Sequence, residues 1–257
     1  MSEQVSSNPP GGSTASTAHG RRVTSFVHQR NRLTEGQAHA WDRLWSRYGY
    51  DVAALLADAP PYDPPAWFGR TAPLVLEIGS GTGESTVAEA LAEPEVDHLA
   101  VEVFEPGLAQ SLMRIEETGV RNLRLLRGDA VDLLHERVPP GSLAGIRIYF
   151  PDPWPKRRHH KRRLVQREFV ALAASRLVAD GTLHLATDWA DYAVQMREVC
   201  TAEPLLKNTV STPDGWTPRP PGRPSTKFER RALAEGRDVR DLVFGRVSSP
   251  HTSTHSR

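Results

Sequence analysis

Five acidic side chains follow short apolar segments of the sequence at regular intervals. They are Glu77 in "LEIGSGTG", Glu102 in "HLAVEV", Asp129 in "RGDA", Asp152 in "YFPDPWP" and Asp188 in "LATDW". Carboxylates gathered at one edge of a sheet suit a ligand with ribose hydroxyls, an adenine amine and positive charge. S-adenosylmethionine has all three, so the pattern predicts a site for it. For each acid alone, the alternative is an ordinary helix N-cap.

The first of these segments continues into a turn with Gly79, Gly81 and Gly83 at every second position. Glycine adopts positive φ and lets a ligand approach the backbone closely. The Gly-x-Gly-x-Gly spacing differs from the Gly-x-Gly-x-x-Gly that holds a pyrophosphate, and Glu77 would repel a phosphate. The turn therefore favours a cation or an amine, with a purely structural tight turn as the alternative. Glu102 lies where nucleoside-binding folds place the acid that binds ribose.

A basic run begins shortly after Asp152. Its six cations within eight residues are Lys156, Arg157, Arg158, Lys161, Arg162 and Arg163. The net charge of the chain is only +1, so a polyanion would have to bind to this local patch. Such runs are most often solvated surface, but the position beside the acidic residues favours contacts with a polyanion. Trp154 lies between Asp152 and the basic run, and it either packs in the core or stacks on a base.

Metal and thiol chemistry are not expected. His159 and His160 are neighbours in a basic run without a nearby acid, which makes a poor metal site, so we predict no metal. The single cysteine, Cys200, excludes an internal disulfide and is expected to be a buried apolar side chain in a helix.

Short apolar strands separated by helical stretches must position these residues. The strand candidates are "LVLEIG", "HLAVEV", "LRLLRGDA", "GIRIYF" and "GTLHLATD". This alternation predicts an α/β fold with a doubly wound, mostly parallel sheet and helices on both faces, a Rossmann-like architecture. Ligands of such sheets bind beyond the carboxyl ends of the strands. An amphipathic helix is predicted over 33–50, followed by the proline-stiffened loop "DAPPYDPPAWFG".

The 257 residues suit one domain, predicted over 21–247, with disordered tails at 1–20 and 248–257. Apolar residues make up 39% of the chain and charged residues 25%, and no apolar run is long enough to span a bilayer. The first twenty residues lack the basic and apolar regions of a signal peptide. These features predict a cytoplasmic protein with no membrane partner.

Several longer blocks go beyond these single residues. They are "LEIGSGTG", "VEVFEPG", "GDA", "YFPDPWPKRRHHKRRLVQREF", "HLATDW", "RPSTKFERRALAEGRDVRDLVF" and, near the N-terminus, "RRVTSFVHQRNRLTEGQ". Together they resemble the bacterial tRNA (guanine-N7-)-methyltransferase family over roughly residues 20–247. The chain departs from that family at Ser80 and Thr82, where bulkier residues are common, and at Ala232, where glycine is usual.

The resemblance implies methyl transfer from S-adenosylmethionine to N7 of a guanosine in tRNA, the variable-loop guanosine at position 46. It implies a cofactor site of Glu77, Gly79, Gly81, Gly83, Glu102, Asp129 and Asp152. It implies substrate contacts from Lys156, Asp188, Thr226, Lys227, Phe228 and Glu229. Asp152 would also face the reaction centre, where a fixed carboxylate stabilises the positive charge that develops on the purine. The expected partner is tRNA, with no obligatory protein partner.

Three other functions share the fold class, and fold alone does not separate them. A nicotinamide-dependent dehydrogenase is disfavoured by the glycine spacing and by Glu77. A non-catalytic RNA-binding subunit is disfavoured by the intact set of acids. The third is methylation of another acceptor, such as a small molecule or cytosine C5. The latter would need a cysteine nucleophile, and Cys200 is not at a strand end.

Overall fold

The structure is a computed structural model that describes residues 32–58 and 60–248. The predicted tails at 1–20 and 248–257 therefore lie outside the described residues, apart from Ser248. The N-terminal block at 21–37 is described only from Arg32 onward.

Eight strands form one sheet within the described part of the chain. They are β1 (Gly49–Asp51), β2 (Leu74–Ile78), β3 (Asp97–Glu102), β4 (Leu123–Arg127), β5 (Leu143–Tyr149), β6 (Leu177–Thr187), β7 (Leu206–Asn208) and β8 (Arg240–Arg246). Their order across the sheet is β1-β4-β3-β2-β5-β6-β8-β7. Neighbouring strands are parallel except at β8, which pairs antiparallel with β6 and β7. The predicted mostly parallel, doubly wound sheet is confirmed.

Helices cover both faces of this sheet. They are α1 (Glu35–Tyr48), α2 (Val52–Leu56), α3 (Pro64–Phe68), α4 (Glu84–Ala92), α5 (Glu105–Thr118), α6 (Ala130–Glu136), α7 (Arg167–Arg176), α8 (Ala190–Thr201) and α9 (Lys227–Ala234). One apolar cluster joins α1, α4 and α5 to the sheet through residues such as Ala40, Val87 and Leu112. The other joins α6, α7 and α8 through residues such as Leu133 and Met196. No described helix is both long and apolar enough to cross a membrane.

The predicted N-terminal helix is present as α1. It begins at a capping box in which the Thr34 hydroxyl accepts from the Gln37 backbone N–H and the Gln37 side chain accepts from the Thr34 N–H. The proline-rich loop prediction is wrong in part, because the loop contains α3. Asp63 caps that helix by accepting from the Ala66 N–H, and two prolines occupy its first turn, where no N–H is needed.

Cys200 is fully buried in α8, as predicted. Burial raises the pKa of its thiol to about 12, so the side chain is an apolar packing element.

Candidate active site

A cavity of about 540 Å³ lies at the carboxyl ends of β2 and β5. β2 pairs with β3 on one side and β5 on the other, and the chain then winds outward in both directions. This is the topological switch point, where open α/β sheets bind ligands. The cavity wall includes six of the seven predicted cofactor residues, namely Glu77, Gly79, Gly81, Glu102, Asp129 and Asp152. Gly83 is outside the wall and forms the N-cap of α4.

The glycine turn has the backbone that its sequence predicts. Gly79, Gly81 and Gly83 have φ values of 78°, 56° and 71°, in the left-handed region that favours glycine. Glu102 fixes this turn, because its Oε2 accepts a hydrogen bond of 2.9 Å from the Gly81 N–H. Its Oε1 accepts two more from the N–H groups of Val103 and Phe104. Any contact of Glu102 with a ribose would therefore use its remaining lone pairs.

Glu77 is buried at the base of the cavity, with 4% of its surface exposed. The Thr86 hydroxyl donates to its Oε2. The guanidinium of Arg147 lowers the pKa of Glu77 only in part, because it bonds with Glu89 and Glu93. Desolvation, followed by repulsion from the Glu89 carboxylate, raises the pKa of Glu77 to about 8. A cation in the cavity would favour the ionised form of this acid.

Two buried hydroxyls of residues in the cavity wall have no hydrogen-bond partner among the described residues. The Oγ atoms of Ser80 and Ser85 make no hydrogen bond with the described residues, although both side chains are buried in the cavity wall. Buried polar atoms of this kind normally bind a ligand or a water molecule. The cavity wall therefore combines acids with an open glycine backbone, which fits a polar ligand that bears positive charge.

Asp129 is both a helix N-cap and a residue of the cavity wall, the two roles considered for an acid at a strand end. Its Oδ1 accepts from the Val131 N–H at 2.8 Å and caps α6, while the residue also lines the cavity. Asp188 is different, because it pairs with Arg237 at 2.8 Å and is not part of the cavity wall.

Asp152 lies at the cavity rim on a backbone with two unusual conformations. Phe150 and Trp154, on either side of it, have φ values of 52° and 44°, which cost energy for residues other than glycine. The Asp152 side chain is exposed, and no described residue donates a hydrogen bond to its carboxylate. Desolvation by the surrounding protein, with repulsion from Glu102, raises its pKa. The loop thus holds an unpaired carboxylate at the mouth of the cavity.

Trp154 lies between this loop and the basic run. The Arg162 guanidinium is 4.9 Å from its ring centroid, and the His159 ring meets it edge-on at 6.0 Å. Its Nε1 is buried and makes no hydrogen bond within the described residues. The ring is half-buried against basic side chains and belongs to neither apolar cluster.

The basic run divides into surface residues and one buried residue. A 3-10 helix spans Arg157–Arg162, and the five cations from Lys156 to Arg162 are exposed. Arg163 is 3% exposed; it donates to Asp191 Oδ2 at 2.6 Å and to the Pro153 carbonyl oxygen at 2.8 Å. Arg163 was expected to contact a phosphate, but its side chain is buried and joins the Asp152 loop to α8.

The predicted substrate residues of the late block lie on both sides of α9. Thr226, Lys227 and Phe228 line the cavity, and Phe228 is 64% exposed. Glu229 points the other way, into a buried ion cluster with Arg223 at 2.9 Å. Lys156 is exposed near the rim but does not line the cavity.

Sequence reasoning missed several residues of the cavity wall. These are Ser80, Glu84, Ser85, Tyr149 and Arg231. Glu84 and Ser85 directly follow the glycine turn, and Tyr149 ends β5, so proximity to a strand end was an available signal. Arg231 had none, because only the fold brings α9 to the cavity.

Comparisons with known proteins agree with this geometry. Residues 71–242 match the family described as "Putative methyltransferase". A tRNA (guanine-N(7)-)-methyltransferase of Bordetella parapertussis is 52% identical over 225 residues, which are 88% of this chain and 85% of that protein. One of Rhodococcus jostii is 50% identical over 228 residues, which are 89% and 85% of the two chains.

Solved structures add evidence on the fold alone. A variant of the 16S rRNA (adenine(1408)-N(1))-methyltransferase of Catenulisporales acidiphilia, crystallised with S-adenosylmethionine, matches with a TM-score of 0.51. It is 16% identical, and the match covers 74% of this chain and 95% of that one.

Proposed function

The chain belongs to the tRNA (guanine-N(7)-)-methyltransferase family, and from this we infer that it methylates N7 of a guanosine in tRNA with S-adenosylmethionine. The identity of about half the residues over 88% of the chain carries this conclusion. We propose the variable-loop guanosine at position 46 as the target, and the cytoplasm as the location.

The residues of the cavity suit S-adenosylmethionine, which supplies an activated methyl group when it is bound. Glu77 offers a carboxylate for its positive charge. Gly79 and Gly81 leave space above their backbone, since a β-carbon on either would meet no atom within 4 Å. We propose that Glu102 binds the ribose and that Asp129 lies near the adenine amine.

Asp152 is the proposed catalytic residue. Guanine N7 carries a lone pair and no proton, so its methylation requires no general base. Positive charge develops on the purine as the new bond forms, and a fixed carboxylate beside the purine lowers the energy of that state. The unpaired carboxylate of Asp152 at the cavity mouth supports this role.

We propose that the guanosine enters between the Asp152 loop and the N-terminus of α9. Thr226, Lys227 and the exposed ring of Phe228 line this entrance. An exposed aromatic ring beside a cavity suits stacking on an unstacked base. Lys156 and Asp188 stay in the proposal as substrate contacts, and Asp188 would act from its ion pair with Arg237.

The exposed cations of the basic run are the proposed contacts to tRNA phosphates. They are Lys156, Arg157, Arg158, Lys161 and Arg162. Such contacts orient an RNA without reading its sequence, so they would place the variable loop over the cavity.

The test is an incubation of the protein with labelled S-adenosylmethionine and two unmodified tRNA transcripts. One transcript is wild type, and the other has adenosine in place of the variable-loop guanosine. After digestion, N7-methylguanosine from the first transcript alone is the expected result. Label in both transcripts would overturn the proposed target position, and cofactor binding without transfer to either RNA would overturn the proposed activity.

A further inference from the structure

Glu84 joins the cofactor cavity to α9. It is the first residue of α4, directly after the glycine turn, and it lines the cavity. Its Oε2 accepts a hydrogen bond of 2.9 Å from the backbone N–H of Lys227. Its Oε1 accepts one of 2.8 Å from the guanidinium of Arg230. One carboxylate therefore holds two groups that are more than 140 residues away in the sequence.

The bond to the backbone is the more informative of the two. The first N–H groups of a helix have no partner within the helix. The N-cap residue Thr226 accepts from the Glu229 N–H, so its hydroxyl leaves the Lys227 N–H for another acceptor. Glu84 is that acceptor, and its negative charge also suits the positive end of the helix dipole. The cap of α9 is thus completed by a residue of the cofactor turn.

α9 has a second anchor on its opposite side. Arg223 donates to both Glu229 and Asp241, and all three side chains are at least 96% buried. This cluster fixes the segment to β8. The bonds of Glu84 are more accessible, because the side chains of Glu84 and Arg230 are 27% and 54% exposed. The anchor to the sheet is thus buried, whereas the anchor to the cofactor turn is partly exposed to solvent.

We propose that Glu84 is a positioning residue that couples the two substrates by holding the α9 N-terminus against the glycine turn. The inference rests on the proposed function, because α9 carries the residues assigned there to the guanosine. The turn and α9 both line one cavity and meet at Glu84, so a ligand that orders one of them orders the other through Glu84. Each substrate then binds more tightly in the presence of the other.

The alternative is that this is an ordinary surface ion pair, which contributes little to stability or function. A matched control is available in the bond between Arg43 and Glu116 on α1 and α5. It has two hydrogen bonds, of 2.7 and 2.8 Å, and side chains that are 47% and 43% exposed. It lies outside the cavity wall, so Glu116→Gln removes a comparable charge pair away from the site.

The experiment compares Glu84→Ala, Glu84→Gln, Arg230→Gln, the Glu84→Ala/Arg230→Gln double variant and Glu116→Gln. The readouts are kcat, KM for tRNA, and the Kd of S-adenosylhomocysteine with and without tRNA. Glu84→Ala should raise KM for tRNA about tenfold, as expected for loss of charged hydrogen bonds, and leave kcat within about threefold of wild type. The KM of Glu84→Gln for tRNA should lie between those of the wild type and Glu84→Ala, because glutamine keeps a hydrogen-bond acceptor but not the charge.

Coupling is measured as the factor by which tRNA tightens the binding of S-adenosylhomocysteine. Glu84→Ala should bring this factor close to one, Arg230→Gln should reduce it, and the double variant should be no worse than Glu84→Ala. Glu116→Gln should match the wild type. The proposal is wrong if the factor is unchanged in the Glu84 variants, or if Glu84→Ala weakens cofactor binding alone while Arg230→Gln does nothing.

Hydrogen exchange provides a readout that is independent of activity. In the protein without RNA, the amide of Lys227 should exchange about tenfold faster in Glu84→Ala than in the wild type, and at the wild-type rate in Glu116→Gln. Unchanged exchange would overturn the proposed contact. If the wild type failed to methylate tRNA, the proposed function would be wrong, and the exchange result would still decide whether Glu84 holds α9.

Discussion

Gly107, in the first turn of α5, faces the carbonyl oxygen of Gly81 so closely that a β-carbon on Gly107 would lie 2.3 Å from it. Gly81 is therefore held on two sides, by this contact and by the bond of its N–H to Glu102. The glycine turn depends on a glycine that belongs to a different element.

Gly107→Ala should displace the turn and weaken cofactor binding about tenfold or more, because the new methyl group overlaps backbone atoms that cannot move freely. Isothermal titration with S-adenosylhomocysteine measures this. Gly36→Ala, whose β-carbon would meet only the Met113 side chain at 3.9 Å, is the control and should bind as the wild type does. Equal affinities for all three proteins would contradict this account of the turn.

Glu77 should make cofactor binding dependent on pH. Its pKa is near 8 in the folded protein, so the acid is mostly protonated at pH 7, and a bound cation should ionise it. Binding should therefore release a proton at pH 7 and tighten as pH rises toward 8. Calorimetry in two buffers of different ionisation enthalpy detects the proton. Glu77→Gln should abolish both effects and weaken binding.

Glu77 should also affect stability without cofactor. Its pKa is raised from the ordinary 4.5 to about 8, so the folded protein holds a proton that the unfolded chain loses. The free energy of unfolding should fall as pH rises from about 4.5 to 8, by an amount on the order of a few kcal/mol. Glu77→Gln should flatten this decline in denaturant titrations. A decline of the same size in both proteins would exclude Glu77 as its source.

Asp152→Asn should lower kcat about a hundredfold, because the amide keeps the shape of the side chain but cannot stabilise developing positive charge. KM for tRNA and the thermal midpoint should change little. Single-turnover rates measure the chemical step directly. Asp238→Asn, at an exposed acid outside the cavity wall, is the control. Asp152 would lose its proposed role if its variant reacted as fast as this control.

Arg163→Ala and Lys161→Ala should affect different properties, although the two residues belong to one basic run. The first should lower stability, and the second should weaken the binding of tRNA. Arg163→Ala should reduce stability by about 2–4 kcal/mol, because it removes a buried guanidinium and leaves the Pro153 carbonyl oxygen and the Gln195 side chain of α8 without its hydrogen bonds. Lys161→Ala should leave the thermal midpoint unchanged. It should raise KM for tRNA and reduce the salt dependence of binding by about one unit in the log–log slope.

The acids at the strand ends could be predicted from the sequence, because alternating strands and helices fix which ends share an edge. The cavity wall contains four of the five acids to which that rule applies, Glu77, Glu102, Asp129 and Asp152, whereas Asp188 pairs with Arg237 outside it. The burial of Arg163 could not be predicted, because the sequence does not distinguish it from the five other cations of the basic run. The backbone turns inward only where the 3-10 helix ends at Arg162.

The contacts that anchor α9 to the sheet could not be predicted from the sequence either. Glu229 resembles a substrate contact within its sequence block, yet it bonds with Arg223 and, through it, with Asp241 of β8. β8 enters the sheet antiparallel between β6 and β7, and no local pattern reports that insertion. The helix α3 was missed for a different reason, since prolines in a first helical turn read as a loop.

The position of β8 has a consequence for the protein during its synthesis. The ribosome makes every strand around the cofactor cavity, and then α9, before it makes Asp241. A nascent chain that stalls before residue 240 would thus carry the complete glycine turn and Glu77, Glu102, Asp129 and Asp152 of the cavity wall, but not the buried anchor that joins α9 to the sheet through Asp241. The helix that carries the proposed guanosine contacts therefore gains its anchor to the sheet only after β8 has been made.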